Sequence, residues 1–314
     1  MAIDNNNIFV AVSSSKGVFK TSDNGMHWQE FNIGLPVNSL GDININNIQT
    51  MSIIADNIFI YSAQGVYRSN INNCNWTLLS TPFYLNYFSK MSTNGVQIFA
   101  STNQGLYISN DNGNSWTINS HFGTNYISAI CFENGVLFVA YRNNSNINVF
   151  SKSYDNGLTW VDVINGLPTG IINNILVSNN KIFISAKNPM NVYTGGVYKS
   201  IDNGVNWVLT SVNNFEVNTL FKSGTKIFAL GNYVKITTDE GSTWTDLYSS
   251  CTCYSNSGYS FNNRLILGTN SNSDVNMPIY FSSNSGSNWN IINKNIVNNN
   301  IENTEIINNK KVSC

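Results

Sequence analysis

An eight-residue motif recurs seven times along this chain of 314 residues and constrains its fold more than any other feature. The first copy is TSDNGMHW, residues 21–28. The other clear copies are SNDNGNSW (109–116), SYDNGLTW (153–160), SIDNGVNW (200–207) and TTDEGSTW (237–244), and two altered copies are SNINNCNW (69–76) and SSNSGSNW (282–289). We call this motif the octet. Every tryptophan of the chain ends one octet: Trp28, Trp76, Trp116, Trp160, Trp207, Trp244 and Trp289.

The segments between octets repeat in the same order. Successive octet tryptophans are 37 to 48 residues apart, and each repeat contains a β-rich segment such as KIFISAKN and an alternating segment such as GVYKS before the octet. A further strand begins at the tryptophan, as in TWVDV, and an upstream segment such as NNILVSN completes four short strands. Four strands in about 43 residues, repeated in this way, are typical of a β-propeller. The sequence therefore predicts an all-β, seven-bladed propeller with four-stranded antiparallel blades, as one domain over residues 1–314.

The octet has the composition of a tight turn between the third and fourth strands of a blade. An aspartate side chain can accept backbone N–H bonds from the residues that follow it. The glycine permits a positive φ, and the tryptophan provides a large apolar ring. We therefore expect a structural role for the octet acids, Asp23, Asp111, Asp155, Asp202 and Asp239.

The octet resembles the BNR repeat, or Asp-box, whose pattern is Ser/Thr-x-Asp-x-Gly-x-Ser/Thr-Trp. Five near-perfect copies carry the resemblance, and the seven copies extend over essentially the whole chain. Sialidases, xyloglucan-cleaving hydrolases, sortilin-type receptors and photosystem II assembly-factor-like propellers share this repeat. The resemblance implies that the boxes are structural turns, on the face opposite the active site of the sialidases.

The two ends of the chain suggest how the propeller closes. Residues 1–6 look like the tail of a first strand, and NTEIINNKKVS near the C-terminus resembles NILVSNNKIFIS of the fifth repeat. We expect the C-terminal segment to supply or complete the innermost strand of blade one, which would leave no exposed sheet edge there.

Composition limits the classes of partner. The formal net charge is −1 and 11% of residues are charged, so the chain lacks the basic character expected for binding nucleic acid or an anionic membrane. No apolar run is long enough to span a membrane, and the start MAIDNNNIFV lacks the features of a signal peptide. Low charge and all-β character favour an extracellular surface, whereas the missing signal and the cysteines favour the cell interior, so the compartment stays open. We expect a monomer.

The five cysteines predict neither a disulfide framework nor a metal site. Their number is odd, and only Cys251 and Cys253 are close in sequence, with no second cysteine or histidine pair to complete a zinc site. We expect no metal and no cofactor.

Acidic residues outside the octets provide few candidates for catalysis. The loops at the end of each blade opposite the octets are where related propellers bind ligands, and elimination by loop position leaves Asp42, Glu216 and Asp274 there. Two of these acids within about 10 Å would fit a glycoside hydrolase. Sialidases clamp their substrate with three arginines, whereas this chain has Arg68, Arg142 and Arg264, of which only Arg142 lies in a suitable loop. Sialidase activity is therefore not expected.

Aromatic residues with polar neighbours mark the predicted binding face, since sugar rings and peptides stack on such surfaces. The predicted ligand-binding residues are Tyr84, Tyr87, His121, Phe122, Tyr126, Tyr141, Arg142 and Tyr193. We expect a non-catalytic binding or scaffolding propeller that recognises a glycan or a protein through this face. The alternative is a glycoside hydrolase of the xyloglucan-cleaving type, or a degenerate relative of one.

Overall fold

The structure, a computed structural model, describes most of the chain. The described residues are 2–4, 7–12, 16–45, 48, 50–83, 88–187, 195–231, 233–247, 254–261, 264–270 and 279–291. They contain strands and turns, and no helix occurs among them.

Twenty-eight strands form seven sheets of four. Blades one and two contain β1 Ala2–Asp4, β2 Asn7–Val12, β3 Gly17–Thr21, β4 Gln29–Glu30, β5 Thr50–Ile54, β6 Asn57–Ser62, β7 Gly65–Asn70 and β8 Thr77–Leu79. Blades three and four contain β9 Phe88–Thr93, β10 Ile98–Thr102, β11 Gly105–Ser109, β12 Thr117–Ile118, β13 Tyr126–Glu133, β14 Val136–Arg142, β15 Asn148–Ser153 and β16 Val161–Val163. Blade five contains β17 Ile171–Ser178, β18 Lys181–Lys187, β19 Gly195–Ser200 and β20 Val208–Asn213. Blades six and seven contain β21 Val217–Ser223, β22 Lys226–Gly231, β23 Val234–Thr237, β24 Thr245–Asp246, β25 Tyr254–Phe261, β26 Arg264–Asn270, β27 Ile279–Ser282 and β28 Asn290–Ile291.

Each blade is an antiparallel sheet in which consecutive strands are neighbours. This order confirms the predicted seven-bladed β-propeller with four-stranded blades. Within a blade, the octet and the turn between the first two strands lie at one end, which we call the octet end. The connection that enters the blade and the loop between its second and third strands lie at the other end, the loop end.

The octets are closed turns, as the sequence predicts. In the fourth copy, Gly157 N–H donates to Ser153 Oγ at 2.7 Å and Thr159 N–H donates to Asp155 Oδ1 at 2.8 Å. Asn156 and Gly157 have φ of 60° and 92°, which is why asparagine and glycine occupy these positions. Equivalent N–H bonds to the third residue of the octet are made in the first, third, fifth, sixth and seventh copies.

Octet tryptophans pack against aromatic residues of the preceding blade or connection. The Trp76 indole lies edge-on to Phe31 and donates from Nε1 to the Phe31 carbonyl at 2.7 Å. Trp207 makes an edge-on contact with Phe150, with ring centroids 5.0 Å apart. These contacts bury large aromatic surfaces between neighbouring sheets and therefore stabilise their packing.

A cation on the third strand joins several blades to the octet of the next blade. Lys152 Nζ donates to the Asn203 carbonyl at 2.7 Å, and the residues immediately before the octets of blades one, two and five do the same. These cation clamps are Lys20 to Ile71 O, Arg68 to Asn112 O, Lys152 to Asn203 O and Lys199 to Glu240 O. The acceptor carbonyl lies 44 to 51 residues further along the chain in the contacts of Lys20, Arg68 and Lys152.

The chain divides into two compact units. One comprises residues 1–88, 111–115 and 256–314, and the other comprises residues 89–110 and 116–255. In the first unit, β1 is the innermost strand of blade one and pairs with β2 through Ala2 and Phe9. The C-terminal segment expected to close the propeller lies outside the described residues.

Candidate functional site

The loop end of blade four contains Arg142, the predicted ligand-binding arginine. Its guanidinium donates from Nε to Asn148 Oδ1 at 3.2 Å, from Nη1 to Asn146 Oδ1 at 2.8 Å and from Nη2 to the Thr169 carbonyl at 2.7 Å. Thr169 lies in the connection that enters blade five. Arg142 therefore holds its own loop and the entry to the next blade in place.

Glu216, a predicted catalytic acid, lies in a similar contact one blade further on. Lys187 ends the second strand of blade five, as Arg142 does in blade four, and its Nζ lies 3.5 Å from Glu216 Oε1. Glu216 precedes the first strand of blade six, and its side chain is mostly buried. Glu216 and Arg142 thus both take part in contacts between successive blades.

A polar network links the connection before blade four to the outer strand of that blade. His121 Nε2 lies 3.0 Å from Asp162 Oδ1, and Ser151 Oγ donates to the same oxygen. Tyr141 Oη donates to Asp162 Oδ2 at 3.4 Å. Three side chains from three different segments therefore meet at the Asp162 carboxylate.

The network does not have the geometry of a nucleophilic triad. In such a triad the histidine lies between the serine and the acid, whereas here the carboxylate lies between Ser151 and His121. Ser151 is also fully buried, so its hydroxyl is closed to a substrate. The chemistry of the cluster is that of structural hydrogen bonding.

The predicted aromatic ligands near this network differ in exposure. Phe122 is 1% exposed and packs edge-on against Trp160 at 4.6 Å and Tyr141 at 5.2 Å. Burial, with the nearby Asp162 carboxylate, raises the pKa of Tyr141 to about 12. These two rings pack in the core and expose little surface, and their predicted role in ligand binding stays a prediction.

Tyr126 and His121 retain accessible surface at blade four. Tyr126 begins the first strand, is 37% exposed and pairs across the sheet with Arg142. Burial raises the pKa of Tyr126, although the Arg142 charge opposes this shift. His121 is partly exposed and stacks on Trp160 with ring centroids 5.8 Å apart.

Asp42, another predicted catalytic acid, lies in a small hairpin of residues 36–44, which we call the finger. Its strands are bridged at Val37 and Ile43, and the Asn44 N–H donates to the Pro36 carbonyl at 2.7 Å. Asn38 Oδ1 accepts from the Asp42 N–H at 3.0 Å, so Asp42 helps to close the tip.

The finger lies at the loop end between blades one and two, and Leu40 is the apolar side chain at its otherwise polar tip. Leu40 is 85% exposed at the tip, and Val37 is exposed beside it. The residues at its base, Leu35 and Ile45, are buried in the core of the first unit. A hydrogen-bonded hairpin with a buried base therefore presents an exposed leucine. The turn formers Asn38 and Gly41, in a connection longer than most, are the sequence signal that could have identified it.

Four predicted site residues cannot be placed in this geometry. Tyr84, Tyr87, Tyr193 and Asp274 lie outside the described residues. The hydrolase alternative, which requires two of Asp42, Glu216 and Asp274 to lie close together, therefore stays a prediction.

The described residues contain no group of three or more His, Cys, Asp or Glu side chains that could hold a metal ion. Hydrogen bonds are the chief cause of a lowered pKa at five carboxyl groups in the described part of the chain. These groups are Asp23, Asp155, Asp202, Asp239 and Glu240. A general acid of a glycosidase instead needs a raised pKa.

Among the described residues, no helix is long and apolar enough to cross a membrane.

Seven four-stranded blades with repeated octet turns define a propeller protein, and a hydrogen-bonded finger with an exposed leucine lies at its loop end. The DUF6242 beta propeller domain matches residues 121–311, more than half of the chain, and the chain belongs to this family. No curated protein matches the chain significantly.

Solved structures share the fold at low sequence identity. YCF48 bound to D1 peptide has 13% identity and a TM-score of 0.62, over 85% of this chain and 87% of that chain. The extracellular domain of BT4673 from B. thetaiotaomicron has 13% identity and a TM-score of 0.62, over 84% of this chain but only 37% of that chain. The computationally designed Ika8 protein has 11% identity and a TM-score of 0.55, over 83% of this chain and 80% of that chain. At these identities the likeness shows the fold alone.

Proposed function

We propose that this propeller is a non-catalytic binding module that recognises a polypeptide through the loop end of its blades. The observation that carries the proposal is the finger, in which Leu40 stands 85% exposed at the tip of a hydrogen-bonded hairpin. An exposed leucine on a hydrogen-bonded hairpin fits a pocket or groove of a protein, because its burial releases water and the hairpin backbone is already ordered. Sugar recognition instead uses concave sites with polar groups around an aromatic platform.

The state of the predicted catalytic groups also supports binding over hydrolysis. Glu216 is paired with Lys187, and the backbone of Asp42 is tied into the finger. A relative in fold, YCF48, has been solved with a D1 peptide, which agrees with recognition of a polypeptide by this architecture. Glycan binding, which the sequence leaves open, is the competing outcome of the test below.

The test is a screen of the full chain against a phage-displayed library of random peptides and against a glycan array. We expect peptides whose affinity falls at least about tenfold in Leu40→Ser, the loss typical of an interface hot spot. Val96→Ser is the matched control, because Val96 is a similarly exposed apolar residue at the octet end of blade three. Val96→Ser should leave the affinity unchanged.

Two results would contradict the proposal. One is glycan binding without peptide binding. The other is hydrolysis of a bound polysaccharide that is lost in Asp42→Asn or Glu216→Gln, which would establish the hydrolase alternative.

A further inference from the structure

The octets of blades four and five differ from the other octets at two positions that do not build the turn. The second and sixth residues are Tyr154 and Leu158 in blade four, and Ile201 and Val205 in blade five. In the other five octets the second residue is polar, as Ser22, Asn70, Asn110, Thr238 and Ser283. Their sixth residues are Met26, Cys74, Asn114, Ser242 and Ser287. Both positions are therefore apolar only in blades four and five.

The turn does not need these apolar side chains. In blade six, Ser242 occupies the sixth position, and the same bonds close the turn from Gly241 to Thr237 and from Thr243 to Asp239. The blade-four and blade-five side chains also contribute little to the core, since Leu158 is 84% exposed and Ile201 is 71% exposed. The repeat itself thus serves as an internal control, and folding does not explain their apolar character.

One side-chain hydrogen bond joins the two octets. Asn203 of the fifth octet donates from Nδ2 to Tyr154 Oη of the fourth at 2.8 Å. Lys152 Nζ donates to the backbone carbonyl of the same Asn203. Val161 and Val208 follow the two octet tryptophans on the outer strands and are exposed as well. We call this surface the octet patch, comprising Tyr154, Leu158, Val161, Ile201, Val205 and Val208.

The six side chains of the octet patch are uncharged, but the ionised carboxylates of Asp155 and of the exposed Asp202 lie in the same two octets. The six side chains expose roughly 600 Å² of mainly apolar surface, which is at the upper limit for a patch on a monomer. The area approaches the 800 Å² or so that each partner buries in a standard interface. Asp155 and Asp202, the acids of these octets, point their oxygens into their own turns, and Lys152 is buried.

Although the sequence suggests a monomer, we propose that the octet patch pairs with the same patch on a second copy of this chain, related by a twofold axis. Apolar side chains are complementary to one another, and a twofold dimer needs only one such surface per copy. The formal net charge of −1 adds little repulsion between two copies. The loop end of each blade lies at the other end of the sheets and stays open for the polypeptide proposed above.

Sedimentation velocity of the full chain, from about 1 to about 200 µM, tests the dimer. We expect a monomer–dimer equilibrium in the wild type and at least about tenfold weaker association in Leu158→Asp and in Ile201→Asp. Met26→Asp is the matched control, because Met26 is the exposed sixth residue of the blade-one octet and has no apolar partner octet. It should dimerise like the wild type.

A wild type that stays monomeric over this range overturns the proposal. So does a dimer that Leu158→Asp leaves intact, or one that Met26→Asp weakens equally. Thermal melting of each variant checks that it is folded. We expect all three variants to fold, because Leu158, Ile201 and Met26 are exposed. Because the readout is self-association, it is independent of whether the loop end binds peptides.

Discussion

Lys152 Nζ donates to the Asn203 carbonyl at 2.7 Å and so ties the third strand of blade four to the octet of blade five. The ammonium group is removed from solvent by this contact, since the Lys152 side chain is buried. A buried charge needs such an acceptor, and the Asn203 carbonyl provides it from the turn of the octet, where Asn203 has a φ of 59°. Blades one, two and five use the same arrangement.

We expect Lys152→Met to lower the free energy of unfolding by about 1–3 kcal/mol, because it leaves a carbonyl without its charged donor. Lys235→Met is the control, since Lys235 forms an ion pair with the exposed Asp246 at 2.7 Å. Its loss should be below about 1 kcal/mol. Urea unfolding of both variants measures the difference, and equal losses would argue against a special role for the clamp.

Phe122→Ala distinguishes a core residue from a ligand contact. The ring is buried between Trp160 and Tyr141, so its removal should cost about 3–5 kcal/mol of unfolding free energy. Tyr126→Ala, four residues later and partly exposed, should cost below about 1 kcal/mol. Denaturant titration provides both values, and a Phe122→Ala variant as stable as Tyr126→Ala would favour the role of Phe122 as a ligand contact.

The sequence predicted the blades and octets because the interactions that define them are local and repeated. The bond from Thr159 N–H to Asp155 spans four residues, and the same spacing recurs in other octets. The roles of the loop-end residues depend instead on contacts between segments distant in sequence. Asp162 meets His121 from 41 residues away, and Arg142 reaches Thr169 across 27 residues. Such contacts follow from the stacking of neighbouring blades, which a residue pattern within one repeat does not specify.

Cys131 should be inert to alkylation in the folded protein. Burial raises the pKa of its thiol to about 12, and Lys90 opposes this shift only in part. Since the thiolate is the reactive form, Cys131 should remain unmodified by iodoacetamide at pH 8 and react once the chain is unfolded. Peptide mass spectrometry after native and denaturing labelling measures this. Rapid modification of Cys131 in the native protein would contradict the burial of its thiol.

The octet acids should make stability depend on pH in the acidic range. The Thr159 hydroxyl and N–H hold the pKa of Asp155 at about 2, and Asn206 holds the pKa of Asp202 at about 2. A carboxyl group with a lowered folded-state pKa contributes stability that is complete above its unfolded pKa, near 4, and is lost as the pH falls towards 2. Melting temperatures measured from pH 7 to pH 2 should therefore fall mainly below pH 4.

Asp155→Asn should melt at a lower temperature than the wild type at pH 7. This difference should shrink as the pH approaches 2, because protonated aspartic acid no longer differs in charge from asparagine. A difference in melting temperature that stays constant from pH 7 to pH 2 would show that the Asp155 charge does not stabilise the turn.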